Sequence, residues 1–367
     1  MKKILLFCLT VILLVGCGSN PTTEPETSGN QGPIKQPSFQ FTEGDNLYNV
    51  LLPFKESNKR LIHSAFTGNS NDTKEITRRL QQFALSHWKS SEHFIAEDKG
   101  LPYDLYTSLL KYSSRDELGL NPRHDQEFDT TRQNLKAVGP VIIGDIFEID
   151  FYTSNAADAP LAGVAFAITL NRNARVNDVP VTLPLDQVVQ YGQSAARKLV
   201  SILRTRPEFA QVPILIGLYS LVKDDQNLPG NFVSKAYFEG HSGQFEAVND
   251  DWVILPSTKA QSINPQMSVE FNLFRNEITS FLQSEVIGVV GKARVVDAIV
   301  DQLSIEIITS AKTYLEIQGL AQHVASQLEQ FEQLDVNVVV EIKDYKSTFA
   351  VVEKLRNQKN PTIIILV

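Results

Sequence analysis

The chain has 367 residues, 43% of them hydrophobic, enough to form a sizeable core, and carries 34 Lys and Arg against 42 Asp and Glu for a net charge of −8. This acidic balance argues against a nucleic-acid binder, whose phosphate contacts need clustered Lys and Arg. The two cysteines, Cys8 and Cys17, both lie near the N-terminus, so disulfides, thiolate-bound metals and thiol nucleophiles are excluded from everything that follows.

Met1-Lys2-Lys3 is a short positive segment followed by the apolar run Ile4 to Val15. That run falls short of the roughly 20 apolar residues a membrane-spanning helix needs, but it suits the core of an export signal. It ends in Leu14-Val15-Gly16-Cys17, which resembles the lipobox of bacterial lipoproteins. In such a motif Gly16 fits the peptidase subsite, and the Cys17 thiol accepts a diacylglyceryl group. Cleavage then leaves Cys17 as the first mature residue. Residues 1–16 are therefore expected to be a signal peptide. Two acyl chains give stable anchoring where one is marginal. Loss of Lys2 and Lys3 leaves mature side chains summing to −10, so an anionic bilayer repels the body and the lipid holds it. Residues 17–38 are rich in Pro, Gly, Ser and Thr and cannot offset their ordering entropy. They read as a tether.

Residues 39–140 read as mainly helical. Lys74 to Leu85 places Ile76, Leu80 and Phe83 on one face, with Asn71, Asp72 and Thr73 as N-cap candidates. Tyr103 to Tyr112 reads as a second helix. From Val141 the period changes: Val141–Phe151 and Leu161–Leu170 read as strands, Asp186–Arg204 as a helix, and Val212–Val222 as a strand. The same order returns after Val286. Ile287–Gly291 opens a strand, Leu303–Ile308 alternates like a half-buried one, Thr313–Phe331 reads as a helix and Val336–Ile342 as a strand. Ser347–Arg356 reads as a further helix and Thr362–Val367 as a last strand. The expected fold is α+β: a helical N-terminal region, then two related ββαβ units with mainly antiparallel sheets, at 141–285 and 286–367.

Each catalytic motif tried fails on a named residue. Gly288-Val289-Val290-Gly291-Lys292 lacks the glycine and hydroxyl of a phosphate loop, because Val286 and Ala293 occupy those places. Gly240-His241-Ser242-Gly243 misplaces the last glycine of a hydrolase elbow and reads as a turn between Phe238 and Phe245. Ser108 and Lys111 have the spacing of penicillin-interacting enzymes without the partner motifs. The run from Asp224 and Asp225 to Gly230 starts like a calcium loop, but Pro229 and Ala236 replace ligands. His87 and His93 lack metal-site spacing. No catalytic residue, metal site or cofactor is expected. Asn231, His241 and Trp252, in turns beside strands, form a candidate ligand patch, against the plainer reading of Trp252 as core beside Val253 and Ile254.

The lipobox, Leu51-Leu52-Pro53-Phe54-Lys55, Leu118-Gly119-Leu120-Asn121-Pro122, Pro229-Gly230-Asn231-Phe232 and Gly288-Val289-Val290-Gly291-Lys292 together resemble the CamS family, the sex-pheromone-precursor lipoproteins of Firmicutes, over nearly the whole chain. The resemblance implies that an apolar oligopeptide cut from the signal segment, here within about Leu9 to Gly16, can act as a conjugation pheromone. The expected protein is a non-enzymatic surface lipoprotein on the outer face of the cytoplasmic membrane, held in the bilayer through diacylglyceryl on Cys17. Its partner would be a protein or another envelope ligand. The competing expectation is a cell-envelope hydrolase with an unrecognised active site.

Overall fold

Two β-sheets with one strand order organise the chain. The structure, a computed structural model, describes residues 46–67, 70–114, 118–156, 158–221, 228–282, 286–310, 312–356 and 358–366. In chain order the elements begin with β1 (Asn49–Val50), α1 (Arg60–Thr67), α2 (Ser70–Ala84), β2 (Phe94–Glu97), α3 (Tyr103–Leu109), β3 (Glu127–Asp129) and β4 (Lys136–Val138). Then come β5 (Ile143–Tyr152), β6 (Leu161–Leu170), β7 (Asn173–Val176), β8 (Val179–Thr182), α4 (Leu185–Arg204), β9 (Ile214–Ser220), β10 (Asn231–Phe238) and β11 (Phe245–Ala247). The last part holds β12 (Asp250–Leu255), α5 (Thr258–Ile263), α6 (Pro265–Leu282), β13 (Val286–Val296), β14 (Ile299–Thr309), α7 (Tyr314–Gln327), β15 (Asn337–Lys343), β16 (Thr348–Lys354) and β17 (Thr362–Ile365).

The first sheet runs β1-β2-β5-β6-β9-β10-β11 and the second β12-β13-β14-β15-β16-β17. From β2 onward the two match strand for strand. Both have two antiparallel pairings, then one parallel pairing (β6 with β9, β14 with β15), then two more antiparallel ones. Helices fall at the same places, with α4 and α7 each crossing over between the parallel strands. The expected ββαβ repeat is therefore the centre of a longer β-α-ββ-α-βββ unit that occurs twice. Parallel neighbours require such a crossover, whereas antiparallel ones need only a turn.

The sheets differ in what covers them. Strands β5, β6 and β9 are buried almost throughout. One face packs on α3 and α4 through Leu105, Leu109, Leu199 and Leu203; the other packs on α2 through Ile76, Leu80 and Phe83. A sheet covered on both faces reads as continuous apolar runs. In the second sheet one face packs on helices through Phe271, Phe274, Leu320 and Val324, and the other meets α2 at Arg294 and Asp250. Its strands β14 and β15 alternate between buried and half-buried residues, and Trp252, half-buried, stands opposite the buried Arg294 on the face away from those helices.

Several expectations change. Ser347–Arg356 is not a helix: Thr348–Lys354 is β16, paired with β15. The carboxylate of Asp344 accepts the Lys346 and Ser347 amides at 2.7 Å each, which closes a tight turn and sends the chain straight back as a strand. The helices at 258–282 were not anticipated, although their start signals are present. Ser257 Oγ accepts the Ala260 amide, and Asn264 Oδ1 accepts the Met267 amide beside a first-turn Pro265. The helix from Tyr103 ends at Leu109, and the helix from residue 314 continues as a 3-10 segment, Leu328–Leu334. The N-terminal region contributes β1 and β2 to the first sheet as well as its helices. Asp72 is no cap: it lies within α2, fully buried, and accepts the Tyr219 hydroxyl and the Gly230 amide. Leu14 to Cys17, the tether, and Asp224 and Asp225 lie outside the described residues.

Candidate functional site

Strand β5 carries Asp145, Glu148 and Asp150 in an otherwise apolar stretch, and all three are buried. A buried charge is retained only when it is paired and hydrogen-bonded, so the surrounding elements supply cations and donors. The start of α1 and the residues before it bring Ser57, Lys59 and His63. The end of β2 brings Asp98. Lys59 Nζ lies 2.9 Å from Glu148 Oε2 and 3.3 Å from Asp98 Oδ1. Ser57 Oγ donates to Asp98 Oδ2. His63 is held between two carboxylates, its Nδ1 2.7 Å from Asp145 and its Nε2 3.2 Å from Asp98, and its ring stacks on Phe147. The Tyr106 hydroxyl donates to the other oxygen of Asp145 at 2.6 Å.

The backbone between β2 and α3 serves the remaining carboxylates. The Leu101 amide donates to Glu148 at 2.6 Å, and the Lys99 and Gly100 amides donate to Asp150 Oδ2. A Cβ on Gly100 would sit 2.6 Å from Asp150 Oδ1 and 2.8 Å from Glu148 Oε1; only glycine lets the chain pass here. Asp150 Oδ1 has no hydrogen-bond partner among the described groups.

Burial by itself lowers the His63 pKa, but the hydrogen bonds to Asp145 and Asp98 and their charges outweigh it and raise it to about 9. Burial pushes Asp98 up, and His63 and Lys59 more than reverse that, leaving it below the usual range. Burial raises Glu148 against the pull of Lys59, and burial with the Glu148 charge raises Asp150 well above the usual range. His63 is therefore an imidazolium with both N–H groups committed, so it offers no acceptor nitrogen to take a proton from a substrate.

A cavity of about 630 Å³ opens beside this network. Its walls are the segment Val50–Glu56 with Asn58, Gln81 of α2, and residues 95–99 of β2 and beyond. Asp98 belongs to both: its carboxylate is tied into the network and its residue lines the cavity. A second, more open cavity of about 880 Å³ lies where β10 and α4 meet β12 and the β13–β14 turn. Here α2 joins the two sheets through charge. Arg79 grips Asp250 of β12 with two hydrogen bonds of 2.6 and 2.7 Å. Arg294 of β13, fully buried, reaches Glu75 and Gln82 of α2 and Asp301.

Of the expected ligand patch, Asn231 lines the second cavity and donates to the Asp250 carbonyl at 2.7 Å. His241 stands exposed in the turn beyond the far end of β10, and Trp252 is half-buried on β12, opposite Arg294. Neither lines that cavity, because an extended strand separates Asn231 from His241. Ser242 is exposed in the β10–β11 turn, and Ser108 Oγ bonds back to the Asp104 carbonyl within α3. Gly288–Lys292 lies within strand β13, with Lys292 paired to Glu306. The sequence reading passed over Lys59, His63, Asp98, Asp145, Glu148 and Asp150. Three acids inside the apolar run from Ile142 to Phe151 were the available signal.

The family model described as CamS sex pheromone cAM373 precursor matches residues 54–360. Among solved structures, the sex pheromone precursor from Lactobacillus salivarius subsp. salivarius UCC118 is similar with a TM-score of 0.73 and 20% identity, over 85% of this chain and 93% of that one. The C-terminal domain of the sex pheromone staph-cAM373 precursor from Staphylococcus aureus is similar with a TM-score of 0.68 and 20% identity, over 82% of this chain and 98% of that one. No curated protein matches. The two structures speak to the fold and the family model to the sequence, and its match over most of the chain places this protein in the CamS family of sex pheromone precursors.

Proposed function

We propose that the protein is a lipoprotein held on the outer face of the cytoplasmic membrane by diacylglyceryl on Cys17, with a folded body that binds a ligand and performs no catalysis. The signal segment, within about Leu9 to Gly16, is the proposed source of an apolar peptide acting in conjugation. This part rests on Leu14-Val15-Gly16-Cys17 and on the family's description as pheromone precursors.

One observation favours binding over catalysis in the body. The cavity of about 630 Å³ has a size suited to a small ligand, while the titratable groups behind it are bonded to one another. His63 has both nitrogens engaged and Lys59 is held by two carboxylates. A general base needs a free lone pair within reach of the substrate proton, and neither His63 nor Lys59 presents one.

The test is a thermal-shift screen of the purified full chain against wall peptides, teichoic fragments, sugars and oligopeptides, with product formation followed by mass spectrometry. A ligand at a hundredfold excess over its dissociation constant stabilises by roughly 2.7 kcal/mol. A saturable shift without turnover is expected. Turnover of any compound would overturn the reading in favour of an envelope hydrolase.

A further inference from the structure

Two charges in the cavity beside β2 have no partner among the described residues. Among the five charged residues that line it, Glu56 is paired with Arg60 at 2.8 Å, and Asp98 is saturated by Lys59, His63 and Ser57. The Lys99 ammonium sits over the ring of Tyr152, 4.4 Å from its centroid, and Tyr152 is not a lining residue. Glu97 and Lys55 remain, and neither makes a hydrogen bond or ion pair within the described residues. The side-chain amides of Asn58 and Gln81 are likewise unbonded. The rest of the lining is apolar: Val50, Leu51, Leu52, Pro53, Phe54, Ile95 and Ala96. Phe54 and Val50 remain 65% and 43% exposed, which is unfavourable for large apolar side chains unless something covers them.

One acid, one base, two amides and apolar walls match the groups of a short apolar peptide. Its ammonium suits Glu97, its carboxylate suits Lys55, its peptide units suit Asn58 and Gln81, and its side chains suit the walls. We propose that this cavity binds a short apolar peptide by its free N-terminus, with the ammonium paired to Glu97. The assignment rests on the binding-module reading and names the ligand for that cavity. A fatty amine would satisfy Glu97 and the walls but would leave Lys55 and both amides unused.

Trileucine and N-acetyl-trileucine serve as probes, titrated calorimetrically into the full chain and into its Glu97→Gln variant, with the fold of each checked by circular dichroism. The wild-type chain is expected to bind trileucine saturably and the acetylated peptide roughly tenfold more weakly, the scale of one hydrogen bond to a charged group. Glu97→Gln should weaken trileucine by a similar factor and leave the acetylated peptide unchanged, since the lost pair is already absent there. Equal weakening of both peptides, or none, overturns the assignment, as does failure of trileucine to bind. If trileucine fails while another envelope compound shifts the melting temperature without turnover, the peptide assignment falls and the binding-module reading stands. Hydrolysis of trileucine would overturn both.

Discussion

The Lys59 ammonium and the Glu148 carboxylate meet at 2.9 Å with both side chains wholly withdrawn from solvent. Desolvating two charges is costly, and their attraction offsets that cost only while both are present. Lys59→Met should therefore destabilise the chain by about 3–5 kcal/mol, read from urea unfolding at pH 7. Adding Glu148→Leu should recover much of the loss, because the stranded carboxylate is gone. A single substitution costing under about 1 kcal/mol would mean that water reaches Glu148.

Stability should fall on the alkaline side. His63 is raised from 6.5 to about 9 in the folded state, so its contribution is fully present below pH 6.5 and is lost as pH rises through about 9. The raised Glu148 and Asp150 carboxyls act in the same direction. The His63 part amounts to about 3 kcal/mol. Urea unfolding at pH 6 and pH 10 measures it, and His63→Gln should flatten the difference. Equal stability of the parent chain at both values would contradict the double hydrogen bonding of His63.

Gly100→Ala should cost about 1–3 kcal/mol, the range for forcing extra volume into packed surroundings. The added methyl would press on Asp150, Glu148 and the Phe209 ring at 3.1 Å or less. A melting temperature unchanged from the parent would show that the β2–α3 backbone can shift aside.

Asp250 ties β12 to Arg79 of α2 by a bidentate pair, and Arg294 makes the second charged link to that helix. The buried apolar clusters of the two sheets share no residue, so cooperativity should depend on these pairs. Asp250→Ala combined with Arg294→Met should convert a single unfolding transition into two, followed by circular dichroism. One unchanged transition would show that the sheets are coupled by other means.

Cys17→Ser should abolish lipidation and leave uncleaved precursor, seen as a heavier band and confirmed by intact mass. An unmodified mature N-terminus on the parent protein would sink the lipobox reading.

The order of elements was legible in the sequence because hydrophobic period reports local environment. The continuous apolar runs of β5, β6 and β9 mark strands covered on both faces, and the alternation in β14 marks a strand covered on one. The repeated strand-strand-helix-strand order followed from the same signal. Thr348–Lys354 misled because a short apolar run fits helix or strand, and only the Asp344 turn and the ladder with β15 decide between them. The lipobox also belongs to the sequence alone, since a peptidase and a lipid transferase read it as a linear motif.

The charged site belongs to tertiary structure. Lys59 and Glu148 are 89 residues apart, and His63 and Asp145 are 82 apart; no spacing rule links them. Three acids in an apolar strand announce that cations must come from somewhere, because a buried carboxylate cannot stay unpaired. Which cations come is set by the pairing of β2 with β5 and by the packing of α1 against it. The same pairing decides that Glu97 and Lys55 share a cavity wall. Local sequence determines which elements form; long-range pairing determines which charges meet, because electrostatic partners are selected by distance in space and not along the chain.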